Sequence, residues 1–172
     1  MSGCKSDYDK YYELMNEAAN SPITVLTTPD GINFDISKEE YNSYIDDLPQ
    51  KGLDYQIYYP LPIESEVYAA RFSAGLFYEG KLCGYDISIG ERIVNDTLKN
   101  LFVDDVKKIV EHYKMALGED CKMAILPEMW PEFDTYVLTK GNLAIEVTRS
   151  HYSGLIKIAF FNRPISINIK EE

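Results

Sequence analysis

Tryptophan occurs once, histidine twice and cysteine three times in these 172 residues, and 17 basic residues face 28 acids. Each scarcity removes a class of function. The two histidines, His112 and His151, lack H-x-x-x-H or H-x-E spacing, so no metal centre is expected. The cysteines, Cys4, Cys83 and Cys121, are odd in number and contain no CxxC pair, which argues against both a disulfide framework and a zinc site. No G-x-x-x-x-G-K-[ST], G-x-G-x-x-G or G-x-S-x-G occurs. Phosphate-loop, dinucleotide and serine-hydrolase chemistries therefore have no carrier, and no cofactor is expected. Ser150 and His151 are adjacent in SHYSG, which sets their side chains apart on a turn. No apolar run approaches the length of a membrane span. The net charge of -11 opposes binding to a phosphate backbone.

What the chain does have is tyrosine, 14 in all, and acid concentrated toward one end. Residues 1–86 hold 15 acids and 6 bases, a charge of -9; residues 87–172 hold 13 and 11, a charge of -2. The length suits one domain spanning 1–172, able to bury roughly 70% of the surface of its unfolded chain. Residues 1–5 read as a disordered start and 6–19 as an N-terminal helix. Tyr8, Tyr11, Tyr12, Met15, Ala18 and Ala19 fall on one face of that helix at spacings of three and four. Ser6 with Asp9 makes its cap.

ITVLTT and INFDI read as strands joined by Pro29-Asp30-Gly31. Ser37 and Glu40 open a second helix with a Tyr41, Tyr44, Ile45, Leu48 stripe. LDYQIYY alternates as a strand that PLP should break. Residues 66–89 read as a long hairpin turning at Glu79-Gly80, with Cys83, Tyr85, Ile87 and Ile89 on one face. A helical turn around Leu98, Leu101 and Phe102 should precede the clearest helix, DVKKIVEHYKMAL, capped by Asp104 and closed by Gly118. Strands 133–139, 143–149 and 155–161 then follow as a meander. The tight turns leave no room for crossover helices. The expected fold is α+β: an antiparallel sheet of about five strands, the long helix across one face, and the N-terminal helices at the edge.

Two surfaces are candidates for function. Asp46, Asp47, Asp54, Glu64 and Glu66, with Tyr58 and Tyr68 beside them, form an acidic, tyrosine-bearing set suited to a basic protein partner. Tyr136 is a further tyrosine that alternation would place opposite the core. The same tyrosines also suit half-buried pleats of a wet-edged sheet. The second candidate is Trp130, flanked by Glu128, Glu132 and Asp134, an aromatic platform beside acids as in a glycosidase subsite. Against it stands a structural role, with Trp130 fixed between Pro127 and Pro131 as a core anchor.

Ser2-Gly3-Cys4 resembles the end of a bacterial lipobox, and the following Ser6-Asp7-Tyr8-Asp9 resembles the export tails of Bacteroidetes surface lipoproteins. Met1 stands where a leucine-type residue is usual. This resemblance implies a lipid on Cys4 and a place in the cell envelope; without it, a cytoplasmic protein is expected. The rhythm of GINFDISKEEYNSYIDDLPQKG, RFSAGLFYEGKLCGYDISI, a helix, a tryptophan and a meander is similar to small envelope lipoproteins with helix-over-sheet folds. It also resembles beta-lactamase-inhibitor-type and toxin-neutralising immunity proteins.

The expected function is non-enzymatic: an immunity-type inhibitor docking an acidic surface on a basic protein. No nucleic acid is expected as partner, and a membrane only through Cys4. The alternatives are an envelope lipoprotein of structural or scavenging role, and a weak carbohydrate enzyme around Trp130.

Overall fold

The computed structural model describes residues 5–48, 57–63, 66–94, 97–101 and 103–164, with the backbone alone for 57–69 and 92–100. It is α+β. Helices α1 (Asp7–Ala19) and α2 (Lys38–Asp46) come first. Strands β1 (Ile57–Ile63), β2 (Glu66–Phe72), β3 (Leu76–Tyr78), β4 (Lys81–Val94) and β5 (Thr97–Asn100) precede α3 (Val103–Leu117). Strand β6 (Lys122–Leu126), a 3-10 turn at Pro131–Phe133, and β7 (Thr135–Lys140), β8 (Leu143–Arg149) and β9 (Ile156–Asn162) complete the described chain.

All nine strands join one sheet in the order β1-β2-β4-β9-β8-β7-β6, every pair antiparallel. Strands β3 and β5 also pair with β4. The C-terminal meander is as expected, but the sheet is larger than five strands. KMAIL adds β6 at one end. IYYPLPI adds β1 at the other, running through both prolines. Proline cannot donate to a ladder, and β1 tolerates Pro60 and Pro62 as an edge strand whose register breaks between Tyr59 and Ile63. Leu98 lies in β5 rather than in a helical turn. The segments around Pro29-Asp30-Gly31 form a turn with a single bridge, Thr27 to Asn33, not two strands.

The sheet separates two cores. On one face Tyr85, Ile87, Ile89, Leu138, Ile145, Val147, Ile158 and Phe160 meet Val106, Ile109, Val110, Tyr113 and Leu117 of α3, and Tyr41 of α2. Each such aliphatic side chain, fully buried, contributes about 1.5–3 kcal/mol. Helix α3 begins at Val103, so Asp104 lies in its first turn rather than at the cap. Gly118 closes it, donating to Lys114 and Met115 carbonyls. Tyr136, expected opposite the core, packs against this one. Burial first, then the neighbouring Asp134 charge, pushes its phenol pKa up.

On the other face Ala124, Val137 and Ala144 receive Leu14 and Met15 of α1, with Tyr11 packed against them. Helix α1 thus lies at the β6 edge but on the face opposite α3. Its capping box, Ser6 with Asp9, is formed as expected, but its buried stripe runs through Leu14, leaving Tyr8 and Tyr12 exposed. Tyr11 is half-buried and donates to Glu146 at 2.7 Å. Desolvation, then this bond, raises its pKa well above the usual tyrosine value.

Helix α2 docks through Tyr41, whose hydroxyl donates to the Ser73 carbonyl at 3.0 Å. The chain between β2 and β3 allows this because position 75 is glycine. A Cβ there would sit 3.0 Å from the Tyr41 ring and 2.9 Å from Phe77, at a φ of +76°.

Candidate partner-binding surface

Of the acidic and tyrosine residues singled out from sequence, Asp46 and Asp47 are the two whose side chains the structure describes. Asp54, Glu64 and Cys4 lie outside the described residues. Tyr58, Glu66 and Tyr68 are placed by backbone alone. Tyr58 sits opposite Ala69 and Tyr59 opposite Tyr68, so Tyr58 and Tyr68 hold register positions on opposite faces of the β1-β2 ribbon.

Asp46 is the last residue of α2 and Asp47 its C-cap, and both are exposed. Their setting differs from that of the other acids in the first half of the chain. Asp9 and Glu40 are engaged in capping boxes. Asp7 pairs with Lys10 at 2.9 Å, Glu13 with Lys5 at 2.6 Å, Glu17 with Lys122 at 2.7 Å and Asp86 with Lys157 at 3.2 Å. Asp35 pairs with Lys81, and Asp30 accepts from Tyr113. Among the described acids of residues 1–86, Glu39, Asp46, Asp47 and Glu79 are left without an ion pair or side-chain hydrogen bond. Three of these four belong to α2 and its cap. Glu39 and Asp46 are seven residues apart, two turns along one stripe.

Asp46 and Asp47 also occupy the end of α2 where its unpaired carbonyls concentrate negative potential, and no basic residue lies in that last turn. Local helix energetics therefore disfavour both carboxylates. The cap at that end uses backbone, Asp47 N–H donating to the Ser43 carbonyl.

The Trp130 segment differs from a core anchor. Trp130 is 57% exposed and Met129 84%, while Phe133 of the 3-10 turn after them is half-buried. The Phe133 ring stacks on His151 at 3.8 Å, and the Arg149 guanidinium lies 5.8 Å from its centre. Asp134 is committed to the loop, accepting from the Glu128 backbone N–H at 2.9 Å. Tyr8 reaches across from α1 to the Pro127 carbonyl at 3.3 Å. Tyr8 and Tyr12, expected on the packed face of α1, are exposed, and with Met129 and Trp130 they offer contact-type side chains to solvent. A stripe drawn through Tyr11, Leu14, Met15 and Ala18 would have released the first two.

No group of three or more His, Cys, Asp or Glu side chains gathers as a metal site among the described residues. Cys83 and Cys121 are both free thiols. Cys83 is buried, and Cys121 is half-buried, packed against the core on the α3 face. Desolvation raises the pKa of each, and for Cys121 the Lys114 and Lys140 charges act against it. No described helix is long and apolar enough to cross a membrane. Neither family models, nor curated proteins, nor solved structures gave a match to this chain.

Proposed function

We propose that this chain is a non-catalytic protein-binding protein that docks an acidic surface on a basic partner and blocks it, in the manner of an immunity-type inhibitor. The observation that supports this reading is the uncompensated acid on α2. Most described acids of residues 1–86 are neutralised or hydrogen-bonded within the fold, whereas Glu39, Asp46 and Asp47 on α2 remain open to a partner. Charges arranged this way raise the association rate more than the lifetime of a complex. Asp54, Glu64, Glu66 and Tyr68 complete the proposed contact set, and Tyr58, on the other face of the β1-β2 ribbon, is left out of it.

Association and dissociation rates with the partner recovered by proximity labelling in the source cell test it. The Asp46→Asn, Asp47→Asn double variant and added salt should each slow association, with dissociation changing less. An association rate indifferent to both ends the proposal.

A second reading gains from the exposure of Trp130. An indole open to solvent beside Glu128 and Glu132 suits a sugar face better than a core role does. Glycan-array binding or hydrolysis lost in Trp130→Ala and Glu132→Gln would favour that reading over the first. The envelope-lipoprotein reading rests on Cys4, and acylated protein in the membrane fraction would support it.

A further inference from the structure

The two ends of the sheet are guarded differently. Edge strand β1 carries Pro60 and Pro62 and a broken register, devices that stop a sheet from taking on further strands. Strand β6, at the other end, has no proline and pairs with β7 in unbroken register from Lys122–Thr139 to Leu126–Thr135. The neighbouring hairpin shows which of its backbone groups are open. Gly141 and Asn142 alone join Lys140 to Leu143, and Gly141 stands at φ +57°, so Lys140 and Leu143 flank a tight turn as a hydrogen-bonded pair. Alternation then turns the N–H and C=O groups of Thr135, Val137 and Thr139 toward β6, where Leu126, Ala124 and Lys122 meet them. Met123 and Ile125 therefore direct their backbone groups away from the sheet. Neither makes another hydrogen bond among the described residues. Two donors and two acceptors stand open, repeating at about 6.8 Å as in an antiparallel ladder.

The side chains beside them suit the same use. Met123 lies opposite Leu138 and Ile125 opposite Tyr136, on the face that α3 covers nearer the middle of the sheet. Met123 is 43% exposed and Ile125 half-buried, so an apolar strip runs out to the edge and stops uncovered. Acid brackets the strip. Among the described residues, Glu119 and Asp120 before β6 and Glu128 after it are exposed and form no ion pair, whereas Lys122 is neutralised by Glu17 at 2.7 Å. A second copy of this chain fits poorly. The self-paired register centred on Ala124, which uses all four open backbone groups, sets Asp120 of each copy against Glu128 of the other. A strand with a base at each end meets opposite charge at both.

We propose that β6 takes up an extended segment of a partner protein as an added antiparallel strand, apolar opposite Met123 and Ile125 and basic opposite Asp120 and Glu128. Backbone hydrogen bonds supply the attachment, while the apolar pair and the terminal bases select the sequence. Helix α2 packs on β4, four strands from β6 along the sheet, so this proposal and the α2 reading can fail independently.

Isothermal titration of the full chain with the nonapeptide Lys-Thr-Thr-Val-Thr-Val-Thr-Thr-Lys, blocked at both termini, tests it. Its two valines fall opposite Met123 and Ile125, and saturable binding is expected. N-methylation of both valines, whose N–H groups face β6, should weaken binding about tenfold or more. N-methylation of the central threonine, whose N–H faces away, should not. Exchanging both lysines for glutamates should weaken it about tenfold at low salt. Met123→Pro withdraws an edge N–H without touching the β6–β7 ladder, and should cost about tenfold as well. Should that variant fail to fold, the surface pair Asp120→Asn with Glu128→Gln carries the expectation instead, losing the preference for lysine over glutamate ends. No saturable binding, equal effects of the two N-methylations, indifference to the terminal charges, or full affinity in a folded Met123→Pro protein each overturns the proposal. So does weakening by Asp46→Asn with Asp47→Asn, which would move the peptide to α2. A concentration-dependent dimer that Met123→Pro abolishes overturns it too, since the edge would then pair with its own copy.

Discussion

Tyr113 directs its hydroxyl at both carboxylate oxygens of Asp30, at 3.1 and 3.2 Å, joining the middle of α3 to a turn 83 residues earlier in the chain. Tyr85 reaches the same turn, its hydroxyl 2.9 Å from that of Thr28 and 3.5 Å from Asp30. Three tyrosines, 41, 85 and 113, sit at 0–2% exposure with their hydroxyls hydrogen-bonded, and their rings pack around Phe160 and Phe72. The high tyrosine content therefore serves the core as much as the surface. Each ring buries a large apolar area, and each hydroxyl anchors a loop that lacks strands of its own.

Tyr113→Phe keeps the ring and removes the bond to Asp30. A hydrogen bond to a charged acceptor contributes about 1.5–3 kcal/mol, and that loss should appear as a lower urea midpoint with an unchanged slope. A variant as stable as the parent would show that the turn is held by packing alone.

The turn between β7 and β8 pins the segment leaving α1. Asn142 donates its backbone N–H to the Ile23 carbonyl, accepts Val25 N–H on its side chain, and donates its amide to Asn162. Beside it a Cβ on Gly141 would stand 2.5 Å from the Ile23 carbonyl oxygen, at a φ of +57°. Gly141→Ala should therefore displace the 23–25 segment and cost about 2 kcal/mol or more, read by chemical denaturation. Gly80→Ala, in open space though also at positive φ, separates the clash from backbone strain and should cost about 1 kcal/mol. Equal losses at the two sites would mean the approach to Ile23 is not a constraint.

Burial holds the His112 imidazole below its ordinary value of 6.5. Between the folded and unfolded values, the unfolded chain binds a proton that the folded chain does not. Stability should thus fall as pH drops through 6.5 and level off once both states are protonated. His112→Gln should flatten that part of the profile. A slope that persists in the variant assigns it to the acids instead.

Elements carried by a long periodic stripe or a reciprocal cap were legible in the sequence. Val106, Ile109, Val110, Tyr113 and Leu117 announce α3, and the Ser6–Asp9 and Ser37–Glu40 boxes locate two helix starts to within a residue. The losses have local causes. KMAIL has five residues and no alternation, because Ala124 packs under α1 while Met123 is exposed at the sheet's end. IYYPLPI is extended because an edge strand loses little when proline withholds an N–H. Leu98 fits a helix or a strand equally well by spacing, and pairing with Ile93 decides for the strand. The candidate surface was only partly legible. Charge content identified Asp46 and Asp47, but that their neighbours are neutralised at long range, as Glu17 is by Lys122, depends on the fold.

The placement of Asp46 and Asp47 gives a test that binding alone does not. Two carboxylates at the C-terminal end of α2, with no base in the turn, oppose the helix dipole by about 0.3–1 kcal/mol each at a surface. Replacing them by Asn should make the protein more stable while slowing its association with a basic partner. A residue that serves the fold would lose both properties together, and one that merely aids solubility would leave the association rate unchanged. Glu39→Gln is the internal control. Glu39 lies on the same stripe but in the first turn, where a carboxylate favours the helix, so its loss should lower stability by a similar amount. Thermal midpoints of the three proteins at low salt should therefore order as Asp46→Asn/Asp47→Asn above parent above Glu39→Gln, with the differences shrinking as salt screens them. If the double variant melts below the parent, the two carboxylates support α2. Their exposure would then no longer argue for a partner.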